Sequence, residues 1–199
     1  MHTKTASELF GVSPEQVNAE MRRRAKTVNF GVIYGISPYG LSQQLGITPE
    51  EAKHYINTYF RKHTGVKDFM DTIIKETTQK GYVQTLLHRK RAIPELRSKN
   101  RNIQQLGERL AINTPIQGSA SDIIKLSMLN IWRRLKKENL KTKMLLQVHD
   151  ELLFEVPEKE RETALALIRE EMETHPSGIQ FSVPIRVDIG IGNNWAEAH

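Results

Sequence analysis

The sequence predicts an α+β fold: a mainly helical first part, then a small antiparallel sheet flanked by helices. Three observations carry this reading. Helix-start signals precede apolar residues at three- and four-residue spacing through the first 80 positions. After Gly81 the pattern changes to short strand-like runs. Further on, two apolar runs face each other across His149-Asp150-Glu151, as the arms of a hairpin do.

Each element follows from local chemistry. Ser13-Pro14-Glu15-Gln16 combines a capping serine, proline at the first helical position and a glutamine that completes a capping box. A helix is expected from there to Tyr34, with Gly35 ending it. Thr48-Pro49-Glu50-Glu51 repeats the signal, and Ala52, Tyr55, Ile56, Tyr59 and Phe60 follow at helical spacing. A third helix after Gly65 carries Val66, Phe69, Met70, Ile73 and Ile74 and stops at Gly81. Tyr82 to Leu87 and Arg91 to Ile93 read as a short hairpin across the basic turn His88-Arg89-Lys90. Pro94 to Asn102 reads as an exposed basic loop. A long helical pattern from Ile103 to Lys137 is interrupted by Pro115, which lacks a backbone donor and should kink or break it. Met144 to His149 and Leu152 to Val156 read as strands, Glu158 to Glu173 as an amphipathic helix, and Val183 to Ile191 as a last strand.

Composition narrows the function classes. The chain has 199 residues, enough for one domain or two small ones. Hydrophobic residues at 38% and charged residues at 26% are ordinary globular usage and argue against wholesale disorder. With no cysteine, a disulfide framework, a zinc ribbon and a thiol nucleophile are excluded. No apolar run approaches the roughly 20 residues of a membrane span, and Met1-His2-Thr3-Lys4 opens no signal peptide, so a cytoplasmic protein without a membrane partner is expected. Lys and Arg total 29 against 23 Asp and Glu, and the net charge of +6 suits a polyanionic partner.

Three constellations bear on chemistry. Arg22, Lys26, Phe30 and Tyr34 are four residues apart. Each is turned only about 40° from the last, so they form one stripe about 18 Å long on a helix face. A ligand negative at one end and flat at the other, such as a nucleoside triphosphate, fits that stripe. On spacing alone a solvated cationic turn followed by core aromatics is the favoured reading, while Gly31 inside the helix leans the other way, toward close approach of another group. Arg109, Asn113 and Gln117 repeat the four-residue step. Their donors suit the degenerate acceptors of a DNA minor groove, or an ordinary polar surface. Asp150-Glu151 at a hairpin tip breaks the usual turn preference and suits Mg²⁺, or a plain acidic turn.

At these residues the chain resembles a known family. Arg22-Arg23-Arg24-Ala25-Lys26-Thr27-Val28-Asn29-Phe30-Gly31-Val32-Ile33-Tyr34-Gly35 resembles the fingers motif of bacterial family A DNA polymerases. Gln147-Val148-His149-Asp150-Glu151 is similar to their palm motif, and Ile112 to Lys125 to the segment between. The likeness runs in order from His2 to about Trp195. It implies a fingers subdomain over 1–81 and the C-terminal part of the palm over 82–199. It implies dNTP binding by His2, Arg22, Lys26, Phe30 and Tyr34, with the cations and His2 on the phosphates, Phe30 near the sugar and Tyr34 beside the nascent base pair. It implies primer or template contacts by Arg109, Asn113, Gln117 and His149. It implies catalysis by Asp150 with Glu151 in support, Asp150 ligating Mg²⁺ in a two-metal phosphoryl transfer. The basic residues from Arg89 to Arg101 would attract backbone phosphates.

One departure matters. The family's upstream palm strand, with a pattern like Asp-Tyr-Ser-x-Ile-Glu, has no counterpart here. The expectation is therefore a C-terminal fragment, inactive alone and with weak metal binding, whose partners are primer-template DNA, a dNTP and the missing N-terminal part of the polymerase. Self-association through an uncovered sheet edge is also expected. A non-catalytic nucleic-acid-binding module and an unrelated metal-dependent hydrolase are the competing readings.

Overall fold

Side-chain caps at Asn18, Ser37 and Thr48 decide where three helices of the N-terminal half begin. The structure, a computed structural model, describes residues 1–174 and 181–198. Helix α1 (His2–Phe10) is followed by a 3₁₀ turn, Pro14–Gln16, and α2 (Ala19–Ile33). The single helix expected from Ser13 to Tyr34 is thus two elements. Gln16 Oε1 accepts from the Ser13 N–H at 3.1 Å, so the box forms, but it closes only a 3₁₀ turn. Val17 is extended, and Asn18 supplies a new cap, its Oδ1 accepting from the Met21 N–H at 2.9 Å. A further helix, α3 (Pro38–Leu45), starts at Ser37-Pro38, the same serine-proline signal, which the reading of the sequence passed over. In α4 (Pro49–Lys62) the box at Thr48 is complete, at 3.0 and 3.2 Å. Helix α5 (Thr64–Lys80) ends at Gly81.

Two compact units result, Met1–Gly118 and Ser119–His199. In the first, α1 to α4 pack around Ala6, Leu9, Ala25, Val28, Val32, Leu41, Leu45, Ala52 and Tyr59. Beyond α5, strands β1 (Tyr82–Gln84) and β2 (Lys90–Ala92) form a short antiparallel hairpin. The stretch expected as an exposed loop instead holds a 3₁₀ turn, Pro94–Arg97. Its Leu96 is buried with Val83, Ile93 and Ala111 of α6 (Arg101–Asn113). An apolar residue inside a basic stretch is enough to pin it, because burial acts residue by residue. Pro115 sits in a π-helical turn, Thr114–Gly118, so the chain accommodates the missing donor by widening its helix.

The second unit begins with α7 (Ser119–Lys137). Strands β3 (Lys143–Val148) and β4 (Glu151–Glu155) pair antiparallel with a bulge between Met144 and Leu146, and α8 (Arg161–Glu173) and α9 (Trp195–Ala198) follow. Ile131 and Leu135 of α7 pack with Ala164, Leu167 and Ile168 of α8, and Met144, Leu152 and Phe154 close that core. Arg134 ties α7 to α8 through Glu170 at 2.5 Å and Glu171 at 3.1 Å. The bulge leaves Leu145 and Leu146 in solvent, at 51% and 41% exposure. The last strand expected at Val183 to Ile191 does not form. Its alternation of apolar residues is present, but no strand edge among the described residues pairs with it, and a ladder needs two strands. No helix among the described residues is long and apolar enough to cross a membrane.

Close packing of α6 gives a direct test. A Cβ on Gly107 would lie 2.7 Å from the Leu96 nitrogen and 3.0 Å from the Glu95 carbonyl carbon, whereas one on Gly65 meets nothing within 4 Å. Gly107→Ala is expected to destabilise by about 1–3 kcal/mol. Gly65→Ala should be neutral or stabilise by up to about 1 kcal/mol. Urea unfolding followed by the helical circular dichroism signal reads both.

Candidate functional site

Helix α2 shows two opposite faces. Ala25, Val28, Asn29 and Val32 are buried, and Arg22, Lys26, Phe30 and Tyr34 are exposed. Phe30 at 46% and Tyr34 at 44% exposure are therefore not core aromatics. Their rings lie nearly parallel, 12° apart with centroids 6.5 Å apart. The His2 ring from α1 approaches Phe30 at 5.8 Å, so the stripe gains a member from another helix.

The cations of α2 divide into two pairs. Arg23 and Arg24 both bond Glu20, at 2.7 and 2.9 Å, and these bonds, Arg23's first, pull the Glu20 carboxyl down to about 2. Among the described residues no carboxylate lies within ion-pairing distance of Arg22 or Lys26, so their charge is available to an incoming anion. Burial, then Arg22, the N-terminal ammonium and Lys26, hold His2 below its ordinary value, which favours a neutral imidazole there.

The end of α2 is built by a Schellman motif. The Ile36 N–H reaches the Gly31 carbonyl at 2.8 Å and the Gly35 N–H that of Val32 at 2.9 Å, with Gly35 left-handed at φ 71°. A Cβ on Gly31 would stand 2.9 Å from Ile36 Cγ2. The close approach that Gly31 signals thus comes from the chain's own cap. Beside this cap opens a cleft of about 640 Å³, lined by Lys26, Phe30, Tyr34, Gln44, Gln105 and Arg109 among others. The stem of Arg109 lies against Gly35, where an added Cβ would be 3.1 Å from its Cγ. Arg109 of α6 is so brought to the aromatic end of the α2 stripe. Gln44 and Gln105 were not anticipated, although Gln105 precedes Arg109 by one helical step of four.

The row Arg109, Asn113, Gln117 is not continuous. The π turn intervenes, leaving Asn113 half-buried with its Oδ1 unpartnered and Gln117 exposed. The basic stretch before it is partly engaged within the protein. Arg91 donates to Thr114 Oγ1 at 3.3 Å and Arg89 to the Gly118 carbonyl at 3.2 Å, so both brace the π turn. Arg97 bonds the Thr78 carbonyl, and Arg101 bonds Glu108.

In the second unit, Val148 pairs with Glu151, so the turn residues are His149 and Asp150, and Glu151 is the first residue of β4. His149 is left-handed at φ 54°, a conformation that costs a side chain about 1–2 kcal/mol, and Gln147 Nε2 donates to its carbonyl at 2.8 Å. His149, Asp150 and Glu151 are all exposed. Oxygen donors of this kind suit Mg²⁺, which binds through one or two carboxylates plus phosphate and water. No cluster of three or more His, Asp or Glu able to hold a metal occurs among the described residues. His149→Gly should relieve the strained turn and raise stability by about 0.5–1 kcal/mol. Tryptophan fluorescence during urea unfolding measures this, because Trp132 and Trp195 both lie in this unit.

The model of DNA polymerase family A matches residues 1–197. DNA polymerase I of Geobacillus stearothermophilus is 51% identical over 198 residues, covering all of this chain and 22% of that protein. DNA polymerase I of Bacillus subtilis is 51% identical with the same coverage. The chain therefore spans about a fifth of the length of these relatives. Among solved structures, the POL domain of Pol1 from M. smegmatis, in complex with a DNA primer-template and dNTP, superposes with a TM-score of 0.91 at 44% identity. That match covers 99% of this chain and 34% of that one.

Proposed function

The chain belongs to DNA polymerase family A, and on that premise we propose that it supplies the dNTP-binding helix and a metal-binding carboxylate of a DNA-directed DNA polymerase. The reaction is attack of a primer 3′-hydroxyl oxygen on the α-phosphorus of a dNTP, with pyrophosphate leaving. The observation that carries this reading is the α2 stripe, with two cations that have no carboxylate partner among the described residues at one end and a parallel pair of exposed rings at the other. Residues 1–81 would be fingers and 82–199 the C-terminal part of the palm.

Each residue has a task under this reading. Arg22 and Lys26 bind triphosphate oxygens near the N-terminal half of α2, where the helix dipole adds to their charge. Neutral His2 donates a hydrogen bond to the same group. Phe30 packs on the sugar, and Tyr34 closes over the base pair beside the Arg109 stem. Arg109, Asn113, Gln117 and His149 meet primer or template, reading acceptors common to all sequences. Family A polymerases use divalent metals. Asp150, supported by Glu151, would hold Mg²⁺, which when bound neutralises charge on the phosphate oxygens. Polymerase residues outside this chain are partners, as is a second copy through the β3–β4 edge.

Titration with a labelled dNTP at fixed salt tests the stripe. Lys26→Glu should weaken binding at least tenfold, in the range of about 1.5–3 kcal/mol expected for a lost charged hydrogen bond. Lys75→Glu, outside the stripe, should change it little. Equal losses would remove the stripe from the site.

Primer extension tests the chemistry. The chain alone with Mg²⁺ and four dNTPs is expected to give no extension, because Asp150 and Glu151 supply one side of a two-metal cage. Extension abolished by Asp150→Ala would mean that another carboxylate of this chain completes it.

A further inference from the structure

We propose that Asn29 is a positioning residue for His2: its side-chain amide donates to Nδ1 and holds the imidazole as the Nε2–H tautomer, aiming that N–H at a triphosphate oxygen. The phosphate contact rests on the function proposed above; the tautomer does not.

Asn29 is only 2% exposed, on the buried face of α2 between Val28 and Val32. An amide there must find partners or lose its hydration uncompensated. It finds them on α1. Oδ1 accepts from Thr5 Oγ1 at 3.2 Å, and Nδ2 lies 3.0 Å from His2 Nδ1 and 3.1 Å from Thr5 Oγ1. Thr5 Oγ1 is near both ends of the amide and also 3.4 Å from the Met1 carbonyl, so the contact that selects the ring nitrogen is the one from Nδ2 to His2. An amide nitrogen can only donate, so with Nδ2 at 3.0 Å His2 Nδ1 is the acceptor.

The surroundings make this choice matter. Arg22, Lys26 and the N-terminal ammonium face His2, and with burial they disfavour a second proton on the ring. A neutral imidazole carries one proton, and which nitrogen holds it is decided by the partner of the other. With the proton on Nδ1, Nε2 would present a lone pair to phosphate oxygen and repel it. With Asn29 occupying Nδ1, Nε2 is a donor. Phe30, 5.8 Å from the ring and inclined by 46°, limits its rotation.

Long-range ¹H–¹⁵N spectra of the intact 199-residue chain read the tautomer directly, at about pH 8.5 where the imidazole is neutral. The wild type should show His2 protonated at Nε2, and Asn29→Asp should move the proton to Nδ1. Inorganic tripolyphosphate, titrated at the same pH, should bind about tenfold more weakly to Asn29→Asp than to wild type. In a His2→Ala background the same change should cost much less. A wild-type ring protonated at Nδ1, or equal losses in both backgrounds, would overturn the assignment. If Asn29→Asp fails to fold, the wild-type spectrum still decides. A wild type that does not bind tripolyphosphate defeats the dNTP reading instead, and the spectrum then judges Asn29 separately.

Discussion

Burial of one face of α2 is the constraint on which the rest of the first unit depends. Ala25, Val28 and Val32 join the core shared with α1, α3 and α4, and this sets the rotation of α2 about its axis. Once that rotation is set, Arg22, Lys26, Phe30 and Tyr34 have nowhere to point except solvent. Two large aromatic rings are thereby held half-exposed, against their transfer preference, by apolar neighbours on the opposite side. The cost of exposing them is met by a core they do not belong to.

The same helix shows how charge is apportioned. Glu20 is shared by Arg23 and Arg24, while no carboxylate among the described residues lies within ion-pairing distance of Arg22 or Lys26. Exposed pairs of this kind contribute little to stability. Their effect is to offset part of the positive charge on one flank of α2, while the stripe keeps its full cationic charge. The Schellman cap at Gly35 then turns the chain sharply enough for the Arg109 stem to lie against it. A backbone motif and a side chain from α6 together complete a cleft that neither builds alone.

The β3–β4 hairpin follows a different logic. Its inner face is anchored by Met144, Leu152 and Phe154, so the turn is carried on a packed support. His149 takes the left-handed position that a glycine would fill without strain, and the strain is held by the ladder on both sides.

Local chemistry by itself determined much of this protein. The Thr48 capping box, the glycine stop at Gly81, the change to strand pairing after it and the hairpin around Asp150 are all readable, because caps, φ > 0 turns and periodicity act over four or five residues. The four-residue step also placed Arg22, Lys26, Phe30 and Tyr34 on one face. What tertiary structure decided was everything that needs a distant partner. The burial of Leu96 and the approach of Arg109 to Gly35 depend on neighbours far along the chain. So does the bonding of Asn29 to His2, 27 residues away. Val183 to Ile191 makes the same point in reverse: alternation is a local property, but a strand exists only where a second edge supplies its hydrogen bonds.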